Sequence, residues 1–265
     1  MLLVKPNGGL CNRMRVIKSL LALKANCNQK QRIWVVWEKN DELNAPFNIL
    51  FKSIKGINVI TTTPLQTRFL YFLFNRILRF KIYLKNDILK YFKRTSNIQD
   101  LFFLNKNVII ETDIDFFMPE YKASDFKLVN NLKKVVDEFI FQNKINETIG
   151  MHIRRTDNKV AIENSPIFLF YNEIENELIN NNDLRFFVAS DDDTEILKLK
   201  QKFPNKIITF ASNKQRNNYE GIKQAVIELF ILSSSKKIYG TYWSSFSEMA
   251  IQLNNNKESR LLKII

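Results

Sequence analysis

The chain has 265 residues, of which 45% are hydrophobic and 25% charged, a composition that supports a folded core and excludes disorder as the main state. Forty Lys and Arg against 27 Asp and Glu leave a net charge of +13, which calls for an anionic partner: nucleic acid, a membrane surface or a phosphorylated small molecule. One histidine, His152, and two cysteines, Cys11 and Cys27, are too few for a structural zinc site or a disulfide scaffold, and they fit a reduced, cytoplasmic setting. No apolar run approaches the ~20 residues that span a bilayer, and the N-terminal apolar run is too short for a signal peptide.

In chain order, residues 2–5 read as a strand and 12–25 as a helix, with Met14, Ile17 and Leu21 near helical spacing. Strands follow at 33–37 and 59–62. Residues 65–93 read as one basic, Phe-rich helical stretch, then 108–111 as a strand and 125–141 as a helix. The rhythm is cleaner afterwards: strands at 148–153, 185–189, 207–210 and 237–240 alternate with helices at 166–179, 194–203, 219–233 and 245–253. Such alternation predicts parallel βαβ units. A polar break at 143–147 separates two halves. The expected fold class is α/β, with two Rossmann-like domains, 1–145 and 146–265, facing a cleft. Ligands of such sheets sit beyond the carboxyl ends of the strands, so the residues there matter most.

After the first strand, Gly8-Gly9-Leu10-Cys11-Asn12-Arg13 opens a helix. Glycines allow close backbone approach and a helix start favours anions, yet the run has neither GxGxxG nor a P-loop lysine. A tight strand–helix turn capped by Asn12 explains it equally well. After 148–153, Arg154 and Arg155 place two guanidiniums at a strand end, with His152 on the same strand face as Arg154. The structural alternative is an Arg–Asp pair and a satisfied core histidine. After 185–189, Asp191, Asp192 and Asp193 admit a DxD metal site, helix capping, or hydrogen bonds to a ribose or base. After 237–240, Ser244, Ser245 and Phe246 start a helix that suits a phosphate, and Glu248 completes a capping-box spacing with Ser245.

The strings HIRRTD, FFVASDDDTEILKLKQKFP and YEGIKQAVIELFILSSSKKIYGTYWSSFSE, with the N-terminal GGLCNR, resemble the GDP-fucose-dependent fucosyltransferase superfamily, closest to its α1,6 branch. The likeness covers about residues 148–253; the first half matches only at GGLCNR. It implies a GT-B-like fold and an inverting, metal-independent transferase using GDP-fucose or a related GDP-sugar, with no cofactor. It implies Arg154 on the β-phosphate, Arg155 in support, His152 at the guanine or ribose side, and Asp191 and Asp192 at the family's Asp pair. Asp157, Gly9, Asn12 and Arg13 join this donor set. Glu228 stands where the α1,6 branch has a guanosine-contacting Asp, and Ser244, Ser245 and Phe246 fall in the phosphate-contacting loop. Arg154, Lys159 and Glu163 form the implied catalytic set, although Asn158 is one residue extra before the lysine. The expected acceptor is a glycan or lipid-linked glycan in surface polysaccharide synthesis.

Between Arg68 and Arg94 the chain carries Arg76, Arg79, Lys81, Lys85, Lys90 and Lys93 among five phenylalanines, with Asp87 the only acid. An ordinary helix pair, an interfacial helix on anionic lipid and a stacking surface for single-stranded nucleic acid all fit. Peripheral membrane contact through 65–94 is the expected partner reading, and nucleic acid is not expected. A basic nucleic-acid-binding protein and a non-catalytic GDP-sugar binder are the rival functions.

Overall fold

The computed structural model describes residues 1–26, 32–95, 107–116, 125–210, 218–254, 256 and 258–264. The second cysteine, Cys27, lies outside the described residues, as do the side chains of Phe92, Lys93 and Arg94. The chain divides into two compact units, Met1–Val129 with Gln215–Ile222, and Asn130–Lys214 with Lys223–Ile265.

The first unit holds a parallel sheet of β1 (Leu2–Pro6), β2 (Ile33–Glu38), β3 (Asn58–Thr62), β4 (Lys81–Leu84) and β5 (Val108–Thr112), in the order β3-β2-β1-β5-β4. Its strands are short apolar runs such as Leu2-Leu3-Val4 and Val108-Ile109-Ile110, all buried, as expected where helices cover both faces. Helix α1 (Leu10–Asn26) follows β1 directly and buries Met14, Val16, Ile17, Leu20 and Leu21. It starts two residues before the expected 12. The order reverses between β1 and β5, so the carboxyl end of β1 is this sheet's switch point.

The stretch 65–93 is not one helix. Helix α2 (Pro64–Phe72) opens on a Thr63–Gln66 capping box with Pro64 in its first turn, and it runs into a π-helical turn, Leu73–Ile77. Arg79 takes a left-handed backbone at φ 54°, which ends the helical run. Strand β4 follows, and helix α3 (Lys85–Thr95) comes after it. The cause is local: Phe80, Ile82 and Tyr83 bury themselves or pack partly, Phe80 meets Phe74 at 5.0 Å, and β4 gains a full ladder with β5.

The second unit holds β6 (Ile149–Ile153), β7 (Phe186–Ser190), β8 (Ile207–Ile208), β9 (Lys237–Thr241) and β10 (Arg260–Leu262), all parallel, in the order β10-β9-β6-β7-β8. Its helices are α4 (Asn130–Asn143), α5 (Lys159–Asn164), α6 (Ile167–Asn180), α7 (Asp193–Lys202), α8 (Tyr219–Ser233) from Lys223 onward, and α9 (Ser245–Asn254). Ile149, Met151, Ile153, Phe186 and Val188 meet Phe170, Ile174 and Leu199 in one core, each such side chain worth about 1.5–3 kcal/mol on burial. Strand β8 is two residues rather than four. Strand β10 and the short α5 add to the expected elements, and residues 125–129 precede α4 rather than open it. There Leu128 makes an isolated bridge to Phe51.

The second sheet grows from β6 through β7 to β8 on one side and adds β9 and β10 on the other. Its switch point therefore lies between β6 and β9, where His152 is level with Gly240 and Ile153 with Ser190. The α/β class with two Rossmann-like parallel sheets agrees with the sequence reading.

Candidate functional site

Three strands of the second sheet end beside one another, and the residues after each are tied together. The hydroxyl of Thr241, last in β9, donates to the His152 carbonyl at 2.9 Å and accepts the Arg154 N–H at 3.0 Å. The hydroxyl of Ser190, last in β7, donates to the Ile153 carbonyl at 2.8 Å. These bonds fix where the Arg154–Asp157 turn leaves the sheet.

Asp191 then organises that turn. Its Oδ1 accepts the Arg155 N–H at 2.7 Å, and its Oδ2 accepts the Thr156 hydroxyl at 2.6 Å and pairs with Arg154 Nε at 3.0 Å. Burial would raise this carboxyl, but the Thr156 hydroxyl, the Arg154 charge and the Arg155 N–H together hold it below its ordinary range. Asp192 does different work: it caps α7, accepting the N–H groups of Thr194 at 2.8 Å and Glu195 at 3.4 Å. Asp193 is exposed. Among the described residues no cluster of three or more His, Cys, Asp or Glu forms a metal-sized group.

The two arginines are unlike. Arg154 spends Nε on Asp191 and one terminal nitrogen on Asp157, and its other terminal nitrogen has no partner among the described residues. Its side chain is 14% exposed, so a charge-assisted donor remains within reach of solvent. Arg155 turns inward: it donates to the Arg154 and Ser165 carbonyls, lies 5.8 Å over the Phe170 ring and leaves Nε buried without a partner. Burial lowers its pKa, against the pull of Glu195, Asp191 and Asp192. Arg155 thus clamps the turn while Arg154 presents charge.

His152 is 5% exposed, with Nδ1 2.7 Å from the Ser247 hydroxyl and its ring stacked 4.6 Å from Phe246. Ser247 comes this close because residue 240 is glycine: a Cβ there would lie 2.6 Å from the Ser247 Cβ. Burial drives the imidazole well below its ordinary value of 6.5; Asp191 opposes this, and Arg154 and Arg155 add to it. The folded protein therefore holds His152 neutral near neutral pH. Below pH 6.5 the unfolded chain binds a proton that the folded chain rejects, so stability falls with falling pH. The expected slope has a ceiling of about 1.4 kcal/mol per pH unit. With one histidine in the chain the test is clean: unfolding midpoints between pH 6.5 and about 5 should decline in the wild type and stay flatter in His152→Gln.

The loop after β9 completes the site. Trp243 adopts a left-handed backbone at φ 61°, a strained state for a bulky residue. Its carbonyl accepts the Asn158 side-chain amide at 3.0 Å, while Asn158 Oδ1 caps α5 by accepting the Ala161 N–H at 3.1 Å. The Tyr242 N–H donates to the Ser165 hydroxyl at 2.8 Å. Buried Ser244 precedes α9, whose first N–H groups at Ser245 and Phe246 lack intrahelical acceptors by the geometry of any helix start. Lys159 and Glu163 sit exposed, four residues apart on α5. Glu228 is half-buried on α8.

Arg154, Arg155, Asp157 and Asp191 are therefore joined by direct contacts, His152 stacks on Phe246, and the Thr241 hydroxyl links the two groups. Gly9, Asn12 and Arg13 belong to the first unit. There Arg13 is fully buried, donating to the Gly8 and Glu38 carbonyls and to Asn40 Oδ1, with its guanidinium 5.2 Å from the Trp37 ring. It holds the left-handed Gly8 turn, φ 80°, in place. The sequence reading missed Thr156, Ser165, Thr241 and Ser247 as builders of the site. Their signal was a hydroxyl residue just past the end of a strand or helix, at a strand's last position, or two residues into a helix.

No family model matches the chain, and no curated protein matches it. Solved structures do. The crystal structure of NodZ α1,6-fucosyltransferase soaked with GDP-fucose aligns at a TM-score of 0.62 and 14% identity, covering 95% of this chain and 92% of that one. Fucosyltransferase NodZ from Bradyrhizobium gives 0.60 and 13%, covering 94% and 91%. POFUT1 in complex with GDP gives 0.58 and 12%, covering 99% and 98%. At such identities the likeness is one of fold, and it agrees with the GT-B-like architecture expected from the sequence.

Proposed function

We propose that the chain is a glycosyltransferase that moves fucose, or a related GDP-activated sugar, from its GDP donor to a glycan acceptor. The observation that carries this reading is the Arg154 guanidinium, held half-spent at the carboxyl end of β6, next to the strand that leads into the start of α9. Fold likeness to NodZ and POFUT1, whose structures were determined with GDP or GDP-fucose, supports the choice of nucleotide.

The chemistry follows from charge. As the sugar leaves, negative charge grows on the departing diphosphate. Arg154 and the N–H groups at Ser245 and Phe246 would neutralise it, with Arg155 and Asp191 holding Arg154 in position. Asp191 is already committed to three donors and Asp192 to a cap, so the guanidinium takes the part that a divalent cation plays elsewhere. His152 and half-buried Glu228 would face the nucleoside. Glu163 would accept the proton of the acceptor hydroxyl as its oxygen attacks the anomeric carbon and GDP departs, a single displacement that inverts the centre. Lys159 lies one helical turn before it on the same short helix.

A surface glycan, free or lipid-linked, is the acceptor class in this reading, with the enzyme cytoplasmic and in peripheral membrane contact through 65–94. No helix among the described residues is long and apolar enough to cross a membrane. A thermal-shift panel in EDTA tests the donor. GDP and GDP-fucose at a hundred times Kd should raise Tm by about 5–10 °C, from about 2.7 kcal/mol of linkage, while UDP- and ADP-sugars should not. If no guanine nucleotide raises Tm, the reading fails.

A further inference from the structure

The basic segment of the first unit carries an apolar face that is exposed among the described residues. Leu65, Phe69 and Phe72 recur at the spacing of one helix stripe along α2, and they are 76%, 66% and 59% exposed. Ile77 and Leu78 extend the patch through the π-helical turn and beyond. Beside it lies an open depression of about 680 Å³ bounded by Ile60, Leu65, Phe69 and Leu70. Exposed apolar groups scattered singly need no explanation, but a contiguous set on one helix face does.

The charges around this face point to its occupant. Arg68 and Arg76 fall on the same stripe, and Arg79 and Lys90 lie close in sequence; all four are exposed and make no ion pair among the described residues. Lys85 is paired with Asp113 at 2.9 Å. Unspent guanidiniums flanking exposed phenylalanine and leucine match the two layers of an anionic bilayer: phosphate headgroups for the cations and acyl chains for the rings.

We propose that the Leu65–Arg68–Phe69–Phe72–Arg76 stripe is a docking surface for an anionic lipid bilayer. This deepens the peripheral-contact part of the function above and rests on that part alone, since neither GDP nor acceptor takes part in it.

The test is co-sedimentation of the full chain with vesicles of phosphatidylcholine alone and of phosphatidylcholine mixed with phosphatidylglycerol. Binding should require the anionic lipid and weaken with added salt. Phe69→Ser with Phe72→Ser, and separately Arg68→Gln with Arg76→Gln, should each weaken binding at least about tenfold. The replaced side chains are exposed, so Tm and circular dichroism should not change. Phe141→Ser with Ile179→Ser, exposed apolar residues of the other unit, should leave binding as it was. The proposal is overturned by equal binding to neutral vesicles, by stripe variants that bind like wild type, or by equal loss in the Phe141/Ile179 variant. It is also overturned if the wild type ignores vesicles and binds single-stranded RNA through these arginines. A GDP-induced rise in Tm without vesicle binding would overturn the docking surface and leave the donor reading intact; vesicle binding without that rise would do the reverse.

Discussion

Replacing Arg154 with alanine should slow GDP release from GDP-fucose by about two to three orders of magnitude, or about 3–4 kcal/mol of transition-state stabilisation. The size follows from position. Arg154 is held by Asp191 and Asp157, so its orientation is set before any ligand arrives, and one terminal nitrogen remains to meet a charged oxygen. Preorganised donors of this kind are worth far more to a developing charge than to a ground state. Arg154→Lys should recover only part of the rate, because an ammonium keeps the charge but loses the fork that binds Asp157 and a phosphate together. Single-turnover GDP release, with Tm measured beside it, separates lost catalysis from lost fold. An unchanged rate in Arg154→Ala would remove this residue from the chemistry.

The second large effect belongs to Asp191, which touches no solvent-presented chemistry of its own. Asp191→Ala removes the acceptor for the Arg155 N–H, the Thr156 hydroxyl and Arg154 Nε at once, and leaves two neighbouring guanidiniums short of a counter-charge. Breaking such a group by deleting one partner should cost about 3 kcal/mol, a fall in Tm of roughly 6–12 °C. GDP affinity should fall with it, because Arg154 loses its support. The pH dependence has a definite sign. A carboxyl held below its ordinary value contributes stability that is present above the unfolded value of 3.8 and lost as pH falls through the lower folded value. Acid unfolding curves should therefore lose that limb in Asp191→Asn. A variant as stable as wild type at neutral pH would contradict this role.

Much of the second unit was legible because its strands are uninterrupted apolar runs bounded by polar turns. Phe186–Ser190 reads as a buried strand, and a helix start is among the readings of the acids after it. The first unit was harder for a physical reason. From 65 to 93 the phenylalanines and basic residues satisfy a helical period almost throughout, and nothing local announces that Arg79 will turn left-handed and that Lys81–Leu84 will pair with β5. The ladder partner lies more than 20 residues away, so tertiary pairing overrode propensity. In the site, the arginine pair and the acid run were visible as residue types. Their division of labour was not. That Asp191 braces the turn while Asp192 caps a helix, and that Arg155 faces inward while Arg154 does not, depends on which strand ends lie side by side. Strand order is set by the whole sheet.

The surplus of positive charge also resolves into parts. Arg154 presents charge at one strand end, Arg155 and Arg13 spend theirs on carbonyls, and exposed Arg68, Arg76, Arg79 and Lys90, with no ion pair among the described residues, remain for an anionic surface.

The central claim is that this chain binds a guanosine diphosphate through Arg154 without a metal ion. Calorimetric titration of GDP into wild type and Arg154→Ala, both in EDTA, tests it most directly. The account predicts saturable binding to the wild type and a Kd raised at least about tenfold in the variant, as loss of one charge-assisted contact requires. No binding by the wild type in EDTA, or equal affinity in the two proteins, would contradict it.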